Sequence, residues 1–233
     1  LIKVNGIAKS FSKKHIIDEV TFSVAAGECL ALCGGNGAGK STMVKMLTGI
    51  YTPDKGTIEM NGIASSRSST AYRAQFSYMP DDLAFHPLVT GQEALQYAAD
   101  LQKIPSQRVQ EVLELAGLEA HAKQKVKNYS KGMLQRLSLA QSLLVATPVL
   151  ILDEPTNGLD PYWVHRLKEL IQEQKRSGQT IVLTTHMLSI VEQLADTLAF
   201  LQDGTLLVND SVAALLHRYP TLDDALFNEY THE

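Results

Sequence analysis

Residues 29–49 read CLALCGGNGAGKSTMVKMLTG: an apolar run, four glycines within six positions, then Lys-Ser-Thr and a stretch with helical spacing. Inside it GGNGAGKST, residues 34–42, fits G-x-x-x-x-G-K-[ST] after a strand and before a helix, the context that pattern requires. CLALC is apolar on both faces, as a strand covered on two sides is. The residue types have a physical reason. Gly34, Gly35, Gly37 and Gly39, with Asn36 and Ala38 between them, let the backbone curl until successive N–H groups face one phosphate. The helix expected to begin near Lys40 adds positive potential. Lys40 is then expected to reach the β and γ phosphates of a bound nucleotide, and the Ser41 hydroxyl, beside Thr42, to ligate Mg²⁺. A dinucleotide fingerprint fails here, since G-x-G-x-x-G started at Gly35 needs glycine where Lys40 stands, and started at Gly37 needs it at Thr42.

Outward from the loop, LILDEP, residues 150–155, ends an apolar strand on an acid pair. In an open sheet that is the edge where the phosphate loop also emerges. Asp153 is expected to hold Mg²⁺, and Glu154 to polarise the water that attacks the γ phosphate. His186 follows the strand TIVLTT, residues 180–185, so it reaches the same edge. Alone it would be an ordinary histidine, and the others, at 15, 86, 121, 165, 217 and 232, show no metal-ligand spacing.

The remaining chain fits around this edge. Residues 2–8 and 20–24 are strand-like, and Asn61-Gly62 and Asp203-Gly204 are hairpin signals, so antiparallel strands accompany the parallel ones. From about residue 90 to 146 the pattern is consecutive helices, TGQEALQYAADLQ, SQRVQEVLELAG and SKGMLQRLSLAQSLLVAT. VLILD and TIVLTT then flank the helical WVHRLKELIQEQKRSG, and SVAALLHRY and TLDDALFNEYTHE close the chain as two short helices. Strands alternating with helices predict an α/β fold with a mostly parallel, doubly wound sheet and a helical insert at about 83–147.

Composition agrees and excludes other classes. The 233 residues are 45% hydrophobic and 20% charged, which supports a sizeable core and excludes disorder, collagen and a disulfide scaffold. Twenty-one Lys plus Arg against 25 Asp plus Glu give a net charge of −4, so no general attraction draws nucleic acid or anionic lipid. Cys29 and Cys33 are separated along one strand by roughly 13 Å, too far for a disulfide, and are expected to be reduced core thiols. No run approaches the roughly 20 apolar residues of a membrane span, SLLVATPVLILD being short and broken by Pro148. LIKVNGIAKSF alternates like a strand and lacks a signal-peptide layout, so a soluble chain is expected.

At NYSKGMLQR, residues 128–136, the sequence resembles the signature of ATP-binding cassette (ABC) ATPases. Ser130 and Gly132 match the usual LSGGQ, while Lys131 and Met133 replace Gly and Gln, a variant similar to an export-type subgroup. Read without the family, Ser130 is a plain helix N-cap. The resemblance runs from Ile2 to about Asp210. It puts Phe11 at the place of the aromatic that stacks on adenine, NGLD, residues 157–160, at the D-loop with Asp160, and His186 at the switch histidine. In YMPDD, residues 78–82, Asp81 stands where the family commonly has glutamine, and it could ligate the metal directly or through water. Gly35 replaces the usual proline.

The resemblance implies one domain over 1–233 with a RecA-like P-loop NTPase core, an N-terminal antiparallel β subdomain and an inserted helical subdomain. It implies ATP and Mg²⁺ as ligands. It further implies a head-to-tail dimer, of this chain or with a related ATPase, in which the signature of one copy covers the ATP of the other. Partners would be integral membrane permease subunits, holding the protein at the cytoplasmic face of the membrane and powering transport, export by subgroup similarity. The alternative within the family is a soluble ATPase of an iron–sulfur or copper-enzyme assembly system. The ending PTLDDALFNEY is similar to the tail of the export-type subgroup, with no regulatory domain expected before it.

Overall fold

The structure, a computed structural model, describes residues 1–12, 14–65 and 69–231, with the side chains of residues 229–231 left aside. His232 and Glu233, the last two positions of the expected closing helix, lie outside the described residues. In chain order the elements are β1 (Ile2–Phe11), β2 (Lys14–Val24), β3 (Cys29–Gly34), α1 (Lys40–Leu47), β4 (Lys55–Met60), β5 (Ile63–Ala64), α2 (Thr70–Arg73) and β6 (Phe76–Met79). The helical insert follows as α3 (Gly91–Leu101), α4 (Ser106–Leu115) and α5 (Lys131–Ser142), with two short 3₁₀ turns before α5. The chain then runs β7 (Val149–Asp153), α6 (Pro161–Arg176), β8 (Thr180–Thr184), α7 (Leu188–Leu194), β9 (Thr197–Gln202), β10 (Thr205–Ser211), α8 (Val212–Arg218) and α9 (Leu222–Thr231).

Two sheets result. One is antiparallel, in the order β2-β1-β4-β5; the other, β10-β9-β3-β8-β7-β6, is parallel except for its edge hairpin β9-β10. Both hairpin signals are used: Asn61-Gly62 and Asp203-Gly204 have positive φ at both residues, as the tight turn between twisted strands demands. On β3, Leu30 and Leu32 face one apolar core while Cys29, Ala31 and Cys33 face the other; Val149 and Ile151 against Leu150 and Leu152 repeat the alternation on β7. The first core lies between the two sheets and encloses α1; the second lies under the helical insert, α6, α7 and α9. Every residue of β3, β7 and β8 is buried, which is why these strands read as unbroken apolar runs. Both cysteines are buried and free, and burial pushes their thiols up to about 12, so they are inert.

Several boundaries differ from the sequence expectation, three of them for evident reasons. Helix α5 stops at Ser142, not at 147, because Pro148 biases Thr147 toward extended backbone and residues 143–148 turn into β7. Helix α6 starts two residues early, since Asp160 caps it by accepting from the Trp163 N–H and Pro161 occupies its first position. Strand β2 begins at Lys14 because it pairs with β1 along nearly its full length, a tertiary effect. Among the described residues no helix is long and apolar enough to cross a membrane.

Candidate ATP-binding and hydrolysis site

The loop from β3 to α1 owes its shape to two crowded glycines. Gly34 has φ +149° and a Cβ there would lie 2.3 Å from the Leu201 carbonyl oxygen; Gly39 has φ +108° and its Cβ would lie 2.5 Å from Ile17 Cδ1. Each position thus excludes a side chain both by conformation and by space. Gly37, at φ +83°, turns the chain between them in open space. Gly35, Asn36 and Gly37 are exposed, Ala38 packs into the core, and Lys40 Nζ donates to the carbonyls of Gly34 at 2.7 Å and Gly35 at 3.2 Å. The ammonium therefore stands over the loop, at the N-terminus of α1.

A cavity of about 470 Å³ opens on this loop, and Gly35, Lys40, Ser41, Asp81, Asp153, Glu154 and His186 all line it. Four strands, β3, β6, β7 and β8, deliver these residues from their C-terminal ends, the place where open α/β sheets bind ligands. Asp153 is 5% exposed and accepts from Thr184 Oγ1 at 2.6 Å. Burial raises its carboxyl above the ordinary range; the Thr184 bond opposes this, and the nearby Asp81 and Glu154 charges reinforce it. The same Thr184 Oγ1 accepts the Glu154 N–H at 2.8 Å, so one hydroxyl fixes both acids. His186 Nδ1 lies 2.9 Å from Glu154 Oε2, and because a carboxylate only accepts, Nδ1 carries the proton. That leaves Nε2 for another partner. Tyr78 borders this ground: burial first, then the Asp153 carboxylate to which its hydroxyl is bonded, hold it in the neutral form.

Asp81 is exposed, and its Oδ1 accepts from Asn157 Nδ2 at 2.7 Å, which ties the loop after β6 to the turn after β7. The oxygen-only donors Ser41, Asp153 and Asp81 on one cavity suit Mg²⁺, which binds proteins through one or two carboxylates and takes the rest of its shell from phosphate and water. Among the described residues no three His, Cys, Asp or Glu side chains form a metal cluster of their own.

The other expected residues lie apart from this cavity. Ser130, Lys131, Gly132 and Asp160 line a separate one of about 270 Å³, with Arg136 and Trp163 on its wall. Ser130 Oγ accepts from the Met133 N–H at 3.2 Å and so is the N-cap of α5. A Cβ on Gly132 would lie 2.8 Å from the Gly158 carbonyl oxygen, so the start of α5 packs closely on the 157–160 turn of its own chain. Phe11, 40% exposed at the end of β1, stacks edge-on with Tyr51 at 5.1 Å between centroids and does not line the phosphate cavity. Sequence reasoning missed Thr184 and Lys14, and it named Asn157 only as the first residue of NGLD. The threonines ending TIVLTT were a usable signal for the first, whereas Lys14 reaches the cavity only because β2 folds over the loop.

A profile of the ABC transporter family matches residues 17–157. The chain is 36% identical to the Nod factor export ATP-binding protein I of Rhizobium sp. (strain N33), over 94% of this chain and 73% of that protein. It is 34% identical to the lantibiotic transport ATP-binding protein SrtF of Streptococcus pyogenes, over 89% of this chain and 90% of that one. A solved structure described as the ATP binding subunit of an ABC transporter superposes with a TM-score of 0.90 at 31% identity, covering 99% of both chains. With the phosphate loop, the acid pair and the two-sheet architecture in place, the chain belongs to the ABC transporter family as one of its ATP-binding cassette ATPases.

Proposed function

We propose that this ATPase is the motor subunit of an exporter: two copies, or one copy and a related cassette, close head to tail on ATP and drive separate membrane permease subunits. The observation that carries the proposal is the division of the site. Lys40, Ser41, Asp153, Glu154 and His186 converge on one cavity, while Ser130, Gly132 and Asp160 line another. Apposing two copies would bring the second cavity of each over the first of the other, so that each hydrolytic site is completed in trans. The export direction is supported by the names of the two relatives above, one an export protein and one a lantibiotic transport protein.

In this reading the loop N–H groups and Lys40 hold the β and γ phosphates, and Phe11 offers a face to the adenine. Ser41 and Asp153, with Asp81 beside them, would hold Mg²⁺, which when bound neutralises phosphate charge. Glu154 orients the attacking water and accepts its proton. His186, its Nδ1 bonded to Glu154, presents Nε2 toward the γ phosphate. Asp81 stands between this site and the helical insert, where permease elements would seat, and its bond to Asn157 links it to the turn after β7.

The test is capture of tagged Glu154→Gln protein with ATP from detergent-solubilised cells of its own source. A multispanning membrane protein recovered with it supports the exporter reading. Recovery of soluble partners alone contradicts it and favours an assembly ATPase.

A further inference from the structure

Among the described residues lining the phosphate cavity, Glu154 alone is a non-glycine at positive φ, +46°. Such a conformation persists only where the surroundings over-determine it, and it is commonest where geometry serves a reaction. Two side chains hold it. Thr184 on β8 takes its N–H, and Gln135 on α5 donates through Nε2 to its carbonyl oxygen at 3.0 Å. Gln135 is 6% exposed, and a buried amide in the middle of a helix is costly unless it is bonded. The bond to Glu154 accounts for a glutamine at a position that an apolar residue would fill as well.

Gln135 is five residues beyond Ser130, in the second turn of the helix whose first turn borders the separate cavity. Over that distance a helix moves as one body, so a displacement at Ser130 reaches Gln135. We infer that Gln135 is a positioning residue for Glu154, transmitting the place of the signature helix directly to the peptide that aims the carboxylate. The inference rests on the hydrolytic reading of Glu154 given above. It supplies a route within one chain by which engagement of α5 with a partner's nucleotide tunes the chain's own base, without passage through Asp81.

Gln135→Met keeps length and helix propensity and removes the donor. The expected result is a kcat about tenfold lower, with KM for ATP and affinity for a non-hydrolysable ATP analogue within about twofold of wild type. In a Glu154→Gln background the same substitution should change residual turnover by less than about twofold, because the carboxylate through which it acts is gone. An unchanged kcat, or the full loss repeated in that background, would overturn the inference. If the methionine variant does not fold, Gln135→Glu, equal in size and carrying an acceptor in place of the donor, is taken through both backgrounds with the same criteria. Wild-type protein without ATP turnover would overturn the hydrolytic reading and this inference together. Turnover that Glu154→Gln abolishes but Gln135 variants leave untouched would overturn this inference alone.

Discussion

Gly39 shows how little freedom single positions in the loop have. At φ +108°, with Ile17 Cδ1 at 2.5 Å and the Ile16 carbonyl oxygen at 3.0 Å from any added Cβ, Gly39→Ala must strain the backbone and displace β2. We expect a loss of about 3 kcal/mol in chemical denaturation together with lost ATP affinity by calorimetry. Asp153 makes the opposite trade. Its carboxyl is raised by burial, so the folded state resists ionisation; stability is full below the unfolded carboxyl range and declines as pH rises through the raised folded value. Asp153→Asn should therefore raise the unfolding midpoint at pH 7 in the absence of nucleotide and flatten its acid-side pH dependence, while ATP turnover is lost. A lower midpoint at pH 7 would contradict the burial argument. Lys40, Ser41, Asp153 and Glu154 were legible in the sequence because their spacing is dictated by local backbone. Gln135 was not, since it acts through a contact spanning 19 residues, and Thr184 was signalled only by the threonines that end TIVLTT.

Helix α5 is fastened at several points, and these decide what its first turn can do. Arg136 donates to the carbonyls of Ala116 and Gly117 at 3.1 and 3.0 Å and lies 4.1 Å over the Trp163 ring, joining α4, α5 and α6. Arg136→Ala should cost about 2 kcal/mol by thermal or urea unfolding, and Arg136→Lys should recover only part of it because a lysine cannot fork to two carbonyls and stack at once. The loop carrying Asp81 is fastened in turn by the bond from Asn157. Asp81→Ala removes the bond to Asn157 and should lower partner-stimulated turnover more than basal turnover; equal effects on both, or unchanged Mg²⁺ dependence with unchanged stimulation, would remove Asp81 from the coupling path. Element types were legible wherever apolar periodicity was long, as in α3, α4 and α6. Boundaries were not. The four-residue α2 and the seven-residue α7 are too short to display a period, and β2 is lengthened by a partner strand that its own sequence does not announce.

For the molecule as a whole, the parallel sheet was legible because β3, β7 and β8 are buried on both faces and each reads as an apolar run before a loop. The antiparallel sheet was legible through the strand-like residues 2–8 and 20–24 and through its Asn61-Gly62 turn. On the proposed reading a single chain does not hold a complete site, since Ser130, Gly132 and Asp160 line a different cavity from the phosphate loop. The central claim is that two chains complete each other, and mixing two inactive variants tests it most directly. Lys40→Ala removes the phosphate ammonium. Ser130→Asp keeps an N-cap for α5, so the fold is spared, but puts a negative charge where a partner's γ phosphate would lie. Each protein alone should have little ATP turnover, whereas a mixture should recover up to about half the wild-type rate per mixed dimer, because one of its two sites combines an intact Lys40 with an intact Ser130. A mixture no more active than the sum of its parts, with both proteins folded and the wild type active, would contradict the shared site.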